Sequence, residues 1–128
     1  MPGNSSSAQK ESSKATSKLA ANPSPACVTL AKIREVMWRE VGILRSGKEL
    51  VEAIKQLEAL ELPKWERPGR QGHELRNLHA LALLIARSGL AREESRGSHY
   101  RSDFPYRNDE DFGKHSLVQK GKVVKFEA

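Results

Sequence analysis

HELRNLHALALLIARSGLAREES, residues 73–95, is the stretch on which the fold turns. Leu75, Leu78, Ala82, Ile85 and Gly89 recur at alternating steps of three and four residues, the spacing of one helical face. Leu81, Leu83, Leu84 and Leu90 widen the apolar surface well beyond that stripe. A helix apolar around so much of its circumference is expected to be covered by more than one neighbour. Ser88-Gly89 near its end is expected to admit a close approach by another backbone. The fold class is therefore all-α.

Towards the N-terminus, two prolines and two glycines between residues 63 and 72 read as a connecting loop. Before it, Ser46 followed three residues later by Glu49 forms a capping-box pattern, in which each side chain satisfies the other's exposed amide. Leu50, Ile54, Leu57 and Leu60 then share one face until Pro63. A further helix is read from about 29 to 41, with Leu30, Ile33, Met37, Val41 and Leu44 as its stripe and Gly42 weakening its end. Together these form an antiparallel three-helix bundle of the spectrin-repeat kind over residues 28–105. Residues 1–27 hold seven serines and three prolines with almost no large apolar side chain. They are expected to be a disordered linker, because they bury too little to offset ordering entropy.

Towards the C-terminus, the helical period breaks at Ala91. Gly97 is expected to close the helix in the left-handed conformation, and Pro105 blocks its resumption. Between them Arg92, Glu93, Glu94, Ser95, Arg96, His99, Tyr100, Arg101, Ser102 and Asp103 crowd hydrogen-bonding groups into a short segment, as in a surface built to meet a partner. Residues 106–128 read as an extended tail in which Leu117–Phe126 forms two short strands about a glycine turn. A lone hairpin is only marginally stable in water and needs something to lie against.

The formal net charge of +6 invites a nucleic-acid reading, but its distribution argues against one. Acidic and basic residues are intermixed, with neither a basic stripe nor an aromatic platform. The single cysteine, Cys27, excludes an internal disulfide and fits a reducing, cytoplasmic setting. No apolar run is long enough to span a membrane.

The chemical constellations are weak when read one at a time. His99 and Arg101 beside Arg96 can bind a dicarboxylate, since guanidinium groups hold carboxylates bidentately. The competing and preferred reading is an ionic interface, or bracing of the chain after the helix. His73 and His79 are six residues apart, unlike the four-residue spacing of helical zinc ligands. With His115 beyond the acidic run and no cysteine pair, no metal site is expected. Asp109, Glu110 and Asp111 lack the spacing of a calcium loop. They read as a solvated turn, or as partners for basic residues on another domain. Trp38 and Trp65 read as packing or interface residues, and no serine or cysteine has the helpers of a nucleophile.

Taken together, Ile33-Arg34-Glu35-Val36-Met37-Trp38, Val41-Gly42-Ile43-Leu44-Arg45-Ser46-Gly47, Glu74-Leu75-Arg76-Asn77-Leu78 and the segment 92–105 resemble the C-terminal helical domain of the L-aspartate oxidases. These are a branch of the succinate dehydrogenase and fumarate reductase flavoprotein family. The resemblance covers roughly residues 29 to 127. Met37-Trp38 and Gly42-Ile43-Leu44-Arg45 favour that branch. It implies an FAD-dependent parent enzyme whose flavin-binding and capping domains are not represented in these residues, so that no catalytic or cofactor-binding residue is expected in this chain. It also implies a structural role, with Arg96, His99, Tyr100, Arg101 and Asp103 meeting the flavin-binding domain. A succinate dehydrogenase or fumarate reductase flavoprotein is the alternative parent, and a free-standing helical interaction module is the rival of another class.

Overall fold

The computed structural model describes residues 22–128. Three long helices dominate it: α1 (Pro25–Glu40), α2 (Gly47–Glu58) and α3 (Arg70–Ala91). Each packs on the other two. Strand β1 (Leu44–Arg45) lies between α1 and α2, and β2 (Tyr100–Arg101) follows α3. A one-turn α4 (Asp109–Phe112) and strands β3 (His115–Leu117) and β4 (Lys125–Glu127) complete the chain. The architecture is mostly helical with two small sheets.

The first helix begins earlier than expected. Ser24 caps it, its hydroxyl accepting from the Cys27 amide, and Pro25 occupies the first turn, where a missing N–H costs nothing. Residues 25–27, read from composition as linker, are thus helical. The rest of that expected linker, through residue 21, lies outside the described residues. At α2 the hydroxyl of Ser46 accepts from the Glu49 amide as the capping box requires. The Glu49 carboxylate, however, accepts from the Ser46 hydroxyl at 2.9 Å and not from its backbone.

The core is wholly aliphatic: Ile33, Val36 and Val41, then Leu50, Ala53 and Leu57, then Leu75, Ala82 and Ala86. Alanines at positions 53, 82 and 86 let the helix axes approach closely while the larger side chains fill between them. On α3 the buried face runs through Gly72, Leu75, Ala82, Ala86 and Gly89. Leu78 and Ile85, expected within the stripe, are exposed, as are Leu81 and Leu84. Helices α1 and α2 cover one side of α3 and leave this apolar side open. Leu44 is 72% exposed because the chain has already left the helix by Val41.

The long helix also stops sooner than expected, at Ala91, with Arg92 in an extended conformation as its cap. Gly97 does adopt a positive φ of 58°, but it does not close the helix. It turns the chain between Arg96 and His99, whose backbones bond reciprocally at 2.8 and 3.0 Å. The predicted hairpin is present as antiparallel β3 and β4, with Gly121 at positive φ in the connection. Unexpected from sequence are α4 and the parallel pairing of β1 with β2, in which Leu44 faces Tyr100 and Arg45 faces Arg101. That pairing ties the α1–α2 connection to the segment following α3.

Candidate functional site

The dense polar segment after α3 folds back over the ends of the helices. At its centre lies Arg101, only 2% exposed despite its charge. Its Nη1 donates to the carbonyls of Gly89 and Leu90 at 2.9 and 3.0 Å, occupying acceptors that the end of α3 leaves free. A cation there is also favoured by the negative end of the helix dipole. The other edge of the guanidinium grips Asp103 bidentately, Nε to Oδ1 at 2.8 Å and Nη2 to Oδ2 at 2.7 Å.

Asp103 in turn accepts from the Gly47 amide at 3.0 Å, the first residue of α2. One ion pair therefore joins the C-terminus of α3 to the N-terminus of α2, each charge matching the dipole end it meets. The Arg101 guanidinium holds the Asp103 carboxyl well below the usual carboxylate range, with further help from the Gly47 amide. Any side chain at position 47 would press on this pair. A Cβ there would stand 2.9 Å from both Arg101 Nη2 and Asp103 Oδ2.

Glu94 is the second buried charge, with no exposed surface. It accepts from Arg92 at 2.6 Å, from Arg96 at 2.7 and 3.2 Å, and from the Asn108 amide at 2.8 Å. Burial pushes its pKa up, but the bonds from Arg96, Asn108 and Arg92 outweigh this and hold it at about 2, below its ordinary 4.5. Arg96 also reaches Asp109 Oδ1 at 2.6 Å, and Arg107 donates to the same oxygen at 2.7 Å. Asp109, expected to face solvent or another domain, is paired within this chain. Arg92 continues into the tail, donating to the carbonyls of Phe112 and Lys114 and to Ser116. It lies over the rings of Phe112 and Phe126, which themselves meet edge-on. The hairpin finds its support here.

His99 bridges two arginines. The carbonyl of Arg92 can only accept and the guanidinium of Arg45 can only donate. The ring therefore carries its proton on Nε2, which donates to Arg92 O at 3.0 Å, and accepts at Nδ1 from Arg45 Nη1 at 3.0 Å. Burial, joined by the charges of Arg45, Arg101 and Arg92, lowers its pKa and keeps it neutral.

Of the five residues expected at an interface, Arg96, His99, Arg101 and Asp103 are brought together and bonded within the chain, while Tyr100 presents a partly exposed ring. Sequence reasoning missed Glu94, Arg92 and Arg45 as participants. The Arg92-Glu93-Glu94-Ser95-Arg96 run carried a signal, since residues two apart lie side by side once the chain is extended. Arg45 stood in a motif of the resemblance, but nothing in the sequence marked its reach to His99 across 54 positions. The Ser88-Gly89 pair is approached by side chains and not by another backbone; a Cβ at Gly89 would meet Arg45, His99 and Leu50 at ordinary contact distances. His79 is spent on the Leu57 carbonyl at 2.7 Å. Among the described residues, no three His, Cys, Asp or Glu side chains cluster as metal ligands would, and no helix is long and apolar enough to cross a membrane.

The arrangement is a set of charges that neutralise one another and brace helix ends. The family model "Fumarate reductase flavoprotein C-term" matches residues 30–128. The chain belongs to this family. An L-aspartate oxidase of Arabidopsis thaliana, described as chloroplastic, is 41% identical over 86 residues, covering 59% of this chain and 13% of that protein. An L-aspartate oxidase of Pyrococcus abyssi is 40% identical over 78 residues, 61% of this chain and 14% of that protein. The fumarate reductase flavoprotein subunit of Mycobacterium tuberculosis is 35% identical over 102 residues, 70% of this chain and 17% of that protein. The chain thus spans less than a fifth of these relatives.

Among the described residues, the starts of the three long helices do not offer the cradle of a dinucleotide site. The amides at the starts of α1 and α2 are taken by Ser24, Ser46 and Asp103. The glycine-led start of α3 follows a loop, not the strand of a dinucleotide cradle.

Proposed function

We propose that this chain is the C-terminal structural domain of an FAD-dependent L-aspartate oxidase, the enzyme that converts L-aspartate to iminoaspartate on the route to NAD. Its three long helices act as an antiparallel bundle over residues 28–105, a rigid block that docks on the flavin-binding domain. The observation that carries this reading is the internal neutralisation of Arg96, Arg101, Glu94 and Asp103. Such a network supports a shape, because these four charges are spent on one another.

Docking runs through the segment from Arg96 to Asp103. Within it, the Tyr100 ring and the outer edge of Arg96 make direct contact, while His99, Arg101 and Asp103 hold the segment in shape. Binding and chemistry of FAD and L-aspartate belong to the flavin-binding and capping domains. A cytoplasmic setting is supported by the single cysteine of the chain.

A fumarate reductase or succinate dehydrogenase parent is the second reading, favoured by the greater share of this chain, 70%, that the mycobacterial subunit matches. The deciding experiment is an immunoblot of source cells with an antibody to residues 66 to 110, followed by purification of the reactive band. A band much heavier than 14.3 kDa that carries yellow flavin and oxidises L-aspartate is expected. Oxidation of succinate in its place selects the second reading. A flavin-free band of this chain's own mass overturns both and selects a free-standing interaction module.

A further inference from the structure

Among the described residues, the arginines of the polar cap are not all paired with a carboxylate. Arg92, Arg96 and Arg101 each meet a carboxylate. Arg45 meets none among the described residues. Its Nε donates to the Gly42 carbonyl at 2.7 Å and its Nη1 to the neutral His99 ring at 3.0 Å. No hydrogen bond occupies its Nη2 among the described residues. Burial lowers its pKa with no carboxylate to offset the effect. A half-buried guanidinium in this state has lost water without gaining an anion.

This guanidinium lies at the end of a groove of about 370 Å³ whose walls include Leu84, Ile85, Ser88 and Val118. The walls are mostly apolar, and Leu81 and Leu78, earlier on α3, are exposed as well. At a rise of about 1.5 Å per residue, the strip from Leu78 to Ser88 extends about 15 Å. A small anion would satisfy Arg45 and leave that strip in water. A protein segment presenting apolar side chains beside one carboxylate satisfies both. Less than a fifth of the relatives' length is represented by this chain, so the remainder of such a flavoprotein is the surface available to supply it.

We propose that the groove between α3 and Arg45 is the anchor of the domain interface, receiving an Asp or Glu side chain carried on an apolar segment of the flavin-binding portion. This rests on the docking role proposed above and locates its energetic centre. The carboxylate takes the outward N–H groups of Arg45, while Leu81, Leu84 and Ile85 bury against its flanking residues. His99, accepting from Arg45 Nη1, holds the guanidinium edge-on to the incoming group and joins the groove to the Arg96–Asp103 strip.

The test uses this full chain and the Pyrococcus abyssi L-aspartate oxidase truncated ahead of its matching segment, with binding followed by calorimetry. The excised Pyrococcus segment serves as positive control. The unaltered chain binds, and Arg45→Gln weakens binding about thirtyfold, as expected for removing one partner of a buried charge pair. Leu84→Glu on the exposed groove wall weakens it similarly, while Arg70→Ala, exposed at the start of α3, leaves it unchanged. Circular dichroism and thermal melting verify that each variant is folded. Binding that survives both Arg45→Gln and Leu84→Glu overturns the groove proposal and leaves the docking role standing. No binding by this chain where the Pyrococcus segment binds overturns both. Self-association abolished by Arg45→Gln means that a second copy fills the groove, which also overturns the proposal.

Discussion

The helical core and the polar cap that closes it are held by opposite kinds of force. In the core, Leu50, Ala53 and Leu57 of α2 are fully buried among other aliphatic side chains, and their attraction is non-directional. In the cap, Arg101 and Glu94 are equally buried, yet each is held by a set of directed bonds from residues on several elements. An apolar contact tolerates small displacements, because dispersion and burial change gradually with distance. A buried charge tolerates little, because losing one partner leaves an uncompensated ion in a low dielectric. The core thus supplies much of the stability, and the cap sets how the helix ends, the tail and the connection after α1 sit together.

The largest blow to this contrast is expected from Arg101→Ala. It frees the carbonyls of Gly89 and Leu90, strands Asp103 and opens a void, and should cost about 3–5 kcal/mol by urea denaturation. Arg101→Lys should recover less than half of that, because a point charge cannot grip Asp103 bidentately while reaching α3. Full recovery by lysine would mean that charge alone matters there. Leu57→Ala comes next. It leaves an apolar cavity at a cost of about 2–4 kcal/mol but should preserve the amide protection of residues 94–108 in hydrogen exchange. Loss of that protection would show core and cap to be one cooperative unit.

Acid separates the two regions without mutation. Glu94 and His99 both have lowered folded-state pKa values, so each contributes stability that is complete above its unfolded value and lost as pH falls. The urea midpoint should decline first below the ordinary histidine value of 6.5. It should decline again as Glu94 protonates between 4.5 and about 2. His99→Gln should remove the first decline only; if that decline persists, the neutral bridge between Arg45 and Arg92 is not its source. The smallest expected effect is Ser46→Ala, about 1 kcal/mol for a lost helix cap. Thermal melting should detect it, and a much larger loss would mean that the cap network depends on Ser46 as well as on Asp103.

Legibility followed the same divide. The three long helices were readable because each has an apolar face of helical period, and Ser46 announced the start of α2. The segment 92–105 was readable as important from its density of polar groups, and its resemblance to the flavoprotein C-terminal domain was carried by residues in sequence order. The partners within it were not readable. Arg101 was read as meeting another domain or bracing the chain after the helix, and Asp103 as meeting another domain; what the sequence did not disclose is that Arg101 is buried against the end of α3 and that Asp103 reaches α2 across 56 positions. The one-turn α4 was hidden because four residues carry too little periodicity to register, although Asn108 caps it through the Asp111 amide.

By itself, then, the amino-acid sequence determined the helical class, the positions of the long helices, the hairpin and the family, because local periodicity and ordered motifs are written residue by residue. Only the tertiary structure decided which charges are neutralised and which is left over. Pairings between Arg45 and His99, Gly47 and Asp103, or Arg92 and the tail depend on where separate helix ends meet. That meeting is fixed by the packing of the aliphatic core, and no local pattern in the chain records it.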